Sequence, residues 1–158
     1  ANWEYYEPRT QHGSSLSPAV YAITAAWVGH LEEAERYFWR SCTVDLYNTN
    51  RAVSGGTFIG GIHTAACGAA WQIVVIGFLG MRIIDETLEF NPHLPAAWEA
   101  VRGAVTFRGS RIVVAAWADA VEITGDETNV DPLDVGAFGA VRSVPPGETI
   151  RFVAESGD

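Results

Sequence analysis

The chain of 158 residues contains no lysine, and all 10 of its Lys or Arg residues are arginine. The absence of lysine excludes Schiff-base chemistry and a lysine clamp for phosphate, so an anion site must use arginine, histidine, hydroxyls or backbone N–H groups. Only two cysteines occur, Cys42 and Cys67, which are too few for a disulfide framework. Because Cys67 lies in an apolar run, we expect a buried thiol, a reducing compartment and a cytoplasmic location.

Positive charge is scarce, since 19 acidic residues outnumber the 10 arginines and give a formal net charge of −9. This balance argues against nucleic acid or an anionic membrane surface as a partner. Apolar runs are also too short for a membrane-spanning helix, which needs about 18 or more residues without polar interruption. Hydrophobic residues nevertheless make up 48% of the chain, which indicates a folded protein with a core.

The spacing of apolar residues changes near Gly80. Before that point they recur at helical spacing, and after it short alternating runs are separated by turn dipeptides. The sequence therefore predicts an α+β chain, with helices in residues 1–80 and an antiparallel β-sandwich in residues 81–158.

Helices are predicted at three places before the change in spacing. Ser17 is expected to cap the first helix, with Pro18 at its first position and Gly29 as its left-handed end. The second helix follows almost at once and forms an antiparallel hairpin with the first. The third, at about 63–78, is apolar nearly all round, so we expect it to be buried on most sides.

Short strands separated by turns are predicted after the change in spacing. Arg108-Gly109-Ser110 is a strong hairpin signal, and Asp85-Glu86 is expected to form another turn. The predicted strands are Met81–Asp85, Thr87–Phe90, Val101–Phe107, Arg111–Trp117, Val121–Thr124 and Thr149–Val153.

A polar segment, YYEPRTQHGSSLS, precedes the first predicted helix. Gly13 permits close backbone approach, Ser14 and Ser15 offer adjacent hydroxyls, and His12 can carry positive charge. With the N–H groups of a helix entrance, these residues have the composition of an anion site. From the residues alone, an ordinary polar loop with a capping serine is the commoner interpretation of such a segment.

A second candidate segment, Gly60-Gly61-Ile62-His63-Thr64, opens the third predicted helix. Paired glycines followed by a histidine at a helix entrance also suit an anion. The alternative is a histidine that hydrogen-bonds a buried carbonyl.

Taken together, YYEPRTQHGSSLSP and the later GGIHTAACGAAWQ resemble the C-terminal part of glycoside hydrolase family 65. That family contains inverting phosphorylases of α-linked disaccharides, such as maltose, trehalose and kojibiose, and some hydrolases. The resemblance implies that residues 1–80 are the last helices of an (α/α)6 catalytic barrel. Residues 81–158 would then form the family's C-terminal β-sandwich domain.

The resemblance also implies a role for both motifs. In the phosphorylases the serine pair binds inorganic phosphate, and the histidine of the later motif contacts the same ion, which matches Ser14, Ser15 and His63. Phosphate would then be a co-substrate, and neither a cofactor nor a metal is expected. The implied phosphate-binding residues are His12, Gly13, Ser14, Ser15, Gly61 and His63.

The chain departs from the family pattern at two points. The general-acid glutamate of the family lies upstream in the barrel and has no counterpart here, and Glu7 is not assigned that role. We therefore expect no catalytic residue in this chain, and a fragment that is inactive alone. Gly60 also stands where many members carry an acidic residue. The apolar third helix would need the upstream part of the polypeptide, or another copy of the chain, to cover it.

Three functions stay open at this point. The first is the phosphate-binding part of an inverting phosphorylase that acts on an α-linked glucose disaccharide. The second is a hydrolase of the same family, such as a trehalase or kojibiase, and the third is a non-catalytic carbohydrate-binding module. Phosphate bound at Ser14 and Ser15 would separate the first from the second.

Overall fold

The computed structural model describes residues 2–47 and 61–155, and the chain divides into two compact units, Ala1–Gly77 and Phe78–Asp158. The helices are α1 (Asn2–Tyr6), a 3₁₀ turn (Glu7–Arg9), α2 (Ser17–Trp27), α3 (Leu31–Cys42), α4 (Thr64–Gln72) and a wider π-helical continuation of α4 (Ile73–Phe78). The strands are β1 (Arg82–Ile84), β2 (Thr87–Phe90), β3 (Val101–Phe107), β4 (Ser110–Ala116), β5 (Ala120–Gly125), β6 (Leu133–Ala137), β7 (Ala140–Val144) and β8 (Thr149–Val153).

The predicted α+β class is confirmed, whereas the assignment of residues 1–80 to a barrel stays a prediction. None of the described helices is long and apolar enough to cross a membrane.

Small side chains form the buried face of α2. Val20 is 60% exposed, because the buried residues of α2 lie on a different face of the helix. Small residues let the two helices of the hairpin approach closely. The buried residues of α2 are Pro18, Ala19, Ala22, Ala25 and Ala26.

The two ends of α2 differ in how well the sequence predicted them. At the end, Gly29 adopts φ +82° and donates to the Ala26 carbonyl, while the His30 N–H reaches back to the Ala25 carbonyl. These two bonds form the predicted left-handed cap. At the start, the predicted Ser17 cap is wrong: Leu16 occupies the cap position, and no side chain caps the helix. The Ser17 hydroxyl is instead bound to the His12 ring.

The helix α4 packs against both α2 and α3. Gly77, in the continuation of α4, lies beside Ile23 of α2, where an added Cβ would be in ordinary contact at 3.5 Å from the Ile23 Cα. In the π-helical continuation Ile73 and Val75 are buried. Cys67 corrects a prediction: its thiol is exposed, because it lies on the part of α4 that the described residues leave uncovered.

The strands of the second unit form two four-stranded sheets, with the orders β3-β4-β5-β8 and β1-β2-β6-β7. The first sheet is antiparallel throughout, and its buried side chains alternate along β4 as predicted. The second sheet departs from the predicted antiparallel arrangement, because β2 pairs with β6 in parallel, with Leu88 opposite Val135. Three other strands separate β2 from β6 in the chain, so no hairpin constrains their direction.

Hairpin turns set the register of the strands. Arg108 and Gly109 both have positive φ, 50° and 84°, which is the geometry of a tight two-residue turn that matches strand twist. Strands β6 and β7 were not predicted from the sequence. They are joined by a turn of the same kind at Phe138 and Gly139.

Candidate functional site

The loop between the 3₁₀ turn and α2 is held by the ring of His12. Its Nδ1 lies 2.7 Å from the Ser17 hydroxyl, and its Nε2 lies 3.0 Å from the Tyr37 hydroxyl on α3. Tyr37 in turn donates to the Glu7 carboxylate at 2.6 Å. Because the Tyr37 proton goes to Glu7, Nε2 must donate to Tyr37, and Nδ1 accepts the Ser17 proton. We refer to Ser17, His12, Tyr37 and Glu7 as the loop brace.

Electrostatics support this proton arrangement in the loop brace. Burial, reinforced by the nearby Arg40 guanidinium, lowers the pKa of His12, so the ring is neutral near pH 7. Burial and the bond to Glu7 raise the pKa of Tyr37 to about 12, so its hydroxyl keeps its proton. Arg36 lies 3.4 Å from the Glu7 carboxylate and balances its charge. Each group of the loop brace therefore donates a hydrogen bond to the next, from Ser17 through His12 and Tyr37 to Glu7.

This geometry changes the expectation for His12 as a cation near phosphate. Both ring nitrogens are occupied by protein groups, and Arg40 donates to the His12 carbonyl at 2.7 Å. His12 therefore fixes the loop against α2 and α3, and phosphate binding by His12, Gly13, Ser14 and Ser15 stays a prediction.

The next residues turn sharply into α2. The Gly13 N–H donates to the Gln11 carbonyl at 2.9 Å, and the Leu16 N–H donates to the Ser14 hydroxyl at 3.3 Å. Ser14 is exposed and Ser15 half-buried. A polar turn with an exposed hydroxyl beside a helix entrance is suited to hold a small anion.

His63, just before α4, is held by one carboxylate through two of its atoms. Its N–H donates to Asp45 Oδ2 at 2.7 Å, and its ring Nδ1 is bonded to Asp45 Oδ1. These bonds, the ring bond foremost, lower the pKa of Asp45, so the carboxylate is ionised. Gly61, two residues before His63, lies in an exposed bend with φ +150°. Gly60 lies outside the described residues.

Both candidate segments lie at the same end of the α2–α3 hairpin. The loop brace and Arg40 join the His12 segment to the C-terminal half of α3, and Asp45, which binds His63, follows soon after α3 ends at Cys42. The structure thus brings the two segments to one end of the helical unit. Convergence of Ser14, Ser15 and His63 on one ion stays a prediction.

Sequence reasoning missed the residues that support the site. Apolar spacing alone places Tyr37 on the buried face of α3, although a buried tyrosine hydroxyl normally finds a polar partner. Asp45 carries no local signal, because its partner is 18 residues further along the chain. In residues 2–47 and 61–155, no group of three His, Cys, Asp or Glu side chains has an arrangement that could hold a metal ion.

Comparison with known proteins relates both units to one family. Residues 1–72 match the glycosyl hydrolase family 65 central catalytic domain, and residues 81–141 match the glycosyl hydrolase family 65 C-terminal domain. The chain is 47% identical over 149 residues to the 1,2-alpha-glucosylglycerol phosphorylase of Bacillus selenitireducens, covering 94% of this chain and 19% of that protein. It is 39% identical over 123 residues to the kojibiose phosphorylase of Halothermothrix orenii, covering 78% of this chain and 15% of that protein.

A solved structure extends the similarity to the fold. It carries the name "Putative kojibiose phosphorylase from human microbiome", and it superimposes with a TM-score of 0.78 at 31% identity, covering 99% of this chain and 22% of that chain. The chain spans about a fifth (19%) of the length of the phosphorylase from Bacillus selenitireducens.

Proposed function

Because the chain belongs to glycosyl hydrolase family 65, we propose that it is the phosphate-binding segment of an inverting α-glucoside phosphorylase. The observation that carries the proposal is the position of both motif segments at one end of the α2–α3 hairpin. The phosphorylase names of its relatives support the same reaction class.

The proposed reaction uses phosphate where a hydrolase uses water. A phosphate oxygen attacks the anomeric carbon of the glucoside, the bond from that carbon to the leaving oxygen breaks, and a carboxylic acid protonates the leaving oxygen. The products are the β-anomer of a sugar 1-phosphate and the released acceptor. Ser14, Ser15 and His63 would hold phosphate in line for this attack, which is chiefly a matter of positioning.

The general acid is proposed to lie in a part of the polypeptide outside this chain. Glu7 is the carboxylate of the loop brace. It accepts a hydrogen bond from Tyr37 and forms an ion pair with Arg36. These contacts give Glu7 a structural role in the loop brace. We therefore propose that this segment is inactive by itself and works with the rest of the catalytic barrel.

The substrate class is an α-linked glucoside together with inorganic phosphate. The relatives are named for 1,2-α-glucosylglycerol and kojibiose, so we propose a small α-glucoside of that kind. The proposal includes a cytoplasmic location and no cofactor.

The test is a phosphorolysis assay of the full-length polypeptide that contains this chain. It is incubated with 2-O-α-glucosylglycerol, kojibiose, trehalose, maltose and nigerose in turn, with and without inorganic phosphate. The proposal expects β-glucose 1-phosphate from at least one of them and no turnover without phosphate. Free glucose in phosphate-free buffer would indicate a hydrolase, and no turnover of any glucoside would indicate a non-catalytic module.

A further inference from the structure

We propose that Asp45 is a positioning residue that holds the His63 ring toward phosphate. The inference rests on the proposed phosphate site, and it concerns the role of a residue that neither motif contains. Asp45 binds the backbone N–H and the ring Nδ1 of the same histidine.

Two bonds from one carboxylate restrict the His63 side chain strongly. The backbone bond fixes the carboxylate relative to the His63 main chain, and the ring bond then limits rotation of the imidazole. The Asp45 side chain is 14% exposed, whereas that of His63 is 32% exposed. The carboxylate is thus the enclosed partner, and the imidazole is the partner that reaches solvent.

The same contact determines which ring nitrogen faces outward. Because Asp45 is ionised, it can only accept, so Nδ1 carries the hydrogen of this bond. The other ring nitrogen, Nε2, has no hydrogen-bond partner in the part of the chain that the structure describes. An Nε2–H can donate to a phosphate oxygen while the carboxylate balances the charge from the opposite edge of the ring.

A purely structural role for Asp45 is the competing explanation, since its bond to the His63 N–H also supports the entrance of α4. The substitution Asp45→Asn separates the two roles. Its amide oxygen can still accept the backbone bond, but its NH2 group faces Nδ1 and forces that nitrogen to accept. The ring then loses its contact with a carboxylate, and its bond to phosphate becomes weaker.

The experiment measures phosphorolysis by the full-length polypeptide, with inorganic phosphate varied at saturating glucoside. For Asp45→Asn we expect the KM for phosphate to rise about tenfold, which corresponds to 1.4 kcal/mol, with kcat within about twofold. The variant Asp45→Ser removes the carboxylate without adding bulk and carries the same expectation, should Asp45→Asn fold poorly. Asp126→Asn is the matched control, because Asp126 also accepts a backbone N–H bond and has a lowered pKa but lies in the sheet unit.

A double-mutant cycle tests whether Asp45 acts through the ring. In a His63→Gln background, Asp45→Asn should cause no further rise in the KM for phosphate, because the group it positions is absent. An equal rise in both backgrounds, or none in the wild-type background, would overturn the positioning role and leave the phosphate site intact. If His63→Gln itself leaves the KM for phosphate unchanged, the histidine is not a phosphate ligand, and both proposals fail at that residue.

Discussion

The hydroxyl of Tyr37 joins Glu7 to His12, and the substitution Tyr37→Phe removes it with little change in side-chain volume. The change deletes a 2.6 Å bond to the Glu7 carboxylate and a 3.0 Å bond from the His12 ring. A bond to a charged group contributes about 1.5–3 kcal/mol and a neutral bond about 0.5–1.5 kcal/mol. Because Glu7 keeps its contact with Arg36 and is partly exposed, we take the low end of both ranges, about 2 kcal/mol in total.

The loss should appear in local opening of the loop between the 3₁₀ turn and α2. Amide hydrogen exchange of residues 10–16, followed by mass spectrometry in the full-length polypeptide, reports the free energy of that opening. A loss of about 2 kcal/mol corresponds to exchange that is about thirtyfold faster.

A matched control comes from Tyr21, whose hydroxyl is hydrogen-bonded to Thr10 in the same loop. Tyr21→Phe removes one neutral bond, so exchange should accelerate by about tenfold or less. Exchange in Tyr37→Phe that is unchanged, or no faster than in Tyr21→Phe, would refute the view that the loop brace holds this segment.

Two further predictions concern the stability of the chain. Hydrogen bonds from Thr128, aided by Arg111, lower the pKa of Asp126 to about 2. The stabilising effect of its carboxylate is therefore present above pH 4 and is lost as pH falls toward 2. In urea titrations, Asp126→Asn should weaken this dependence of stability on acid pH, and an unchanged dependence would contradict the assignment. An added Cβ at Gly80 would lie 1.7 Å from the Asn91 carbonyl oxygen, whereas one at Gly29 would meet nothing within 4 Å. Thermal unfolding should therefore show that Gly29→Ala lowers the free energy of unfolding by about 1 kcal/mol and that Gly80→Ala lowers it much more. Equal losses of stability in the two variants would argue against the close contact at Gly80.

The parts of the fold that the sequence predicted are those with local physical causes. Gly29 ends α2 because its φ of +82° favours a residue without a Cβ, and Arg108-Gly109 reverses the chain for the same kind of reason. The strand Thr149–Val153 has the predicted bounds because its buried and exposed side chains alternate strictly. In contrast, β6 contains Asp134 and Gly136 within five residues, which weakens both alternation and strand propensity.

Contacts between distant parts of the chain could not be read from the sequence. The loop brace joins residues from the 3₁₀ turn to α3, and the Asp45–His63 contact spans 18 residues. Apolar composition did not show which residues of α4 this chain covers by itself: within Thr64–Gln72, Ala66 is the buried residue, while Cys67 is exposed. Burial of that surface depends on what packs against it, and the prediction that upstream chain or another copy does so stays open to test.

The measurement that tests the phosphate site most directly is the kinetic effect of Ser15→Ala in the full-length polypeptide. The KM for phosphate and the KM for the glucoside are determined separately, with each co-substrate saturating in turn. A hydroxyl bond to an anion contributes about 1.5–3 kcal/mol, so the KM for phosphate should rise about tenfold to a hundredfold, while the KM for the glucoside changes much less. An unchanged KM for phosphate, or an equal rise in both constants, would contradict a phosphate site at this serine pair.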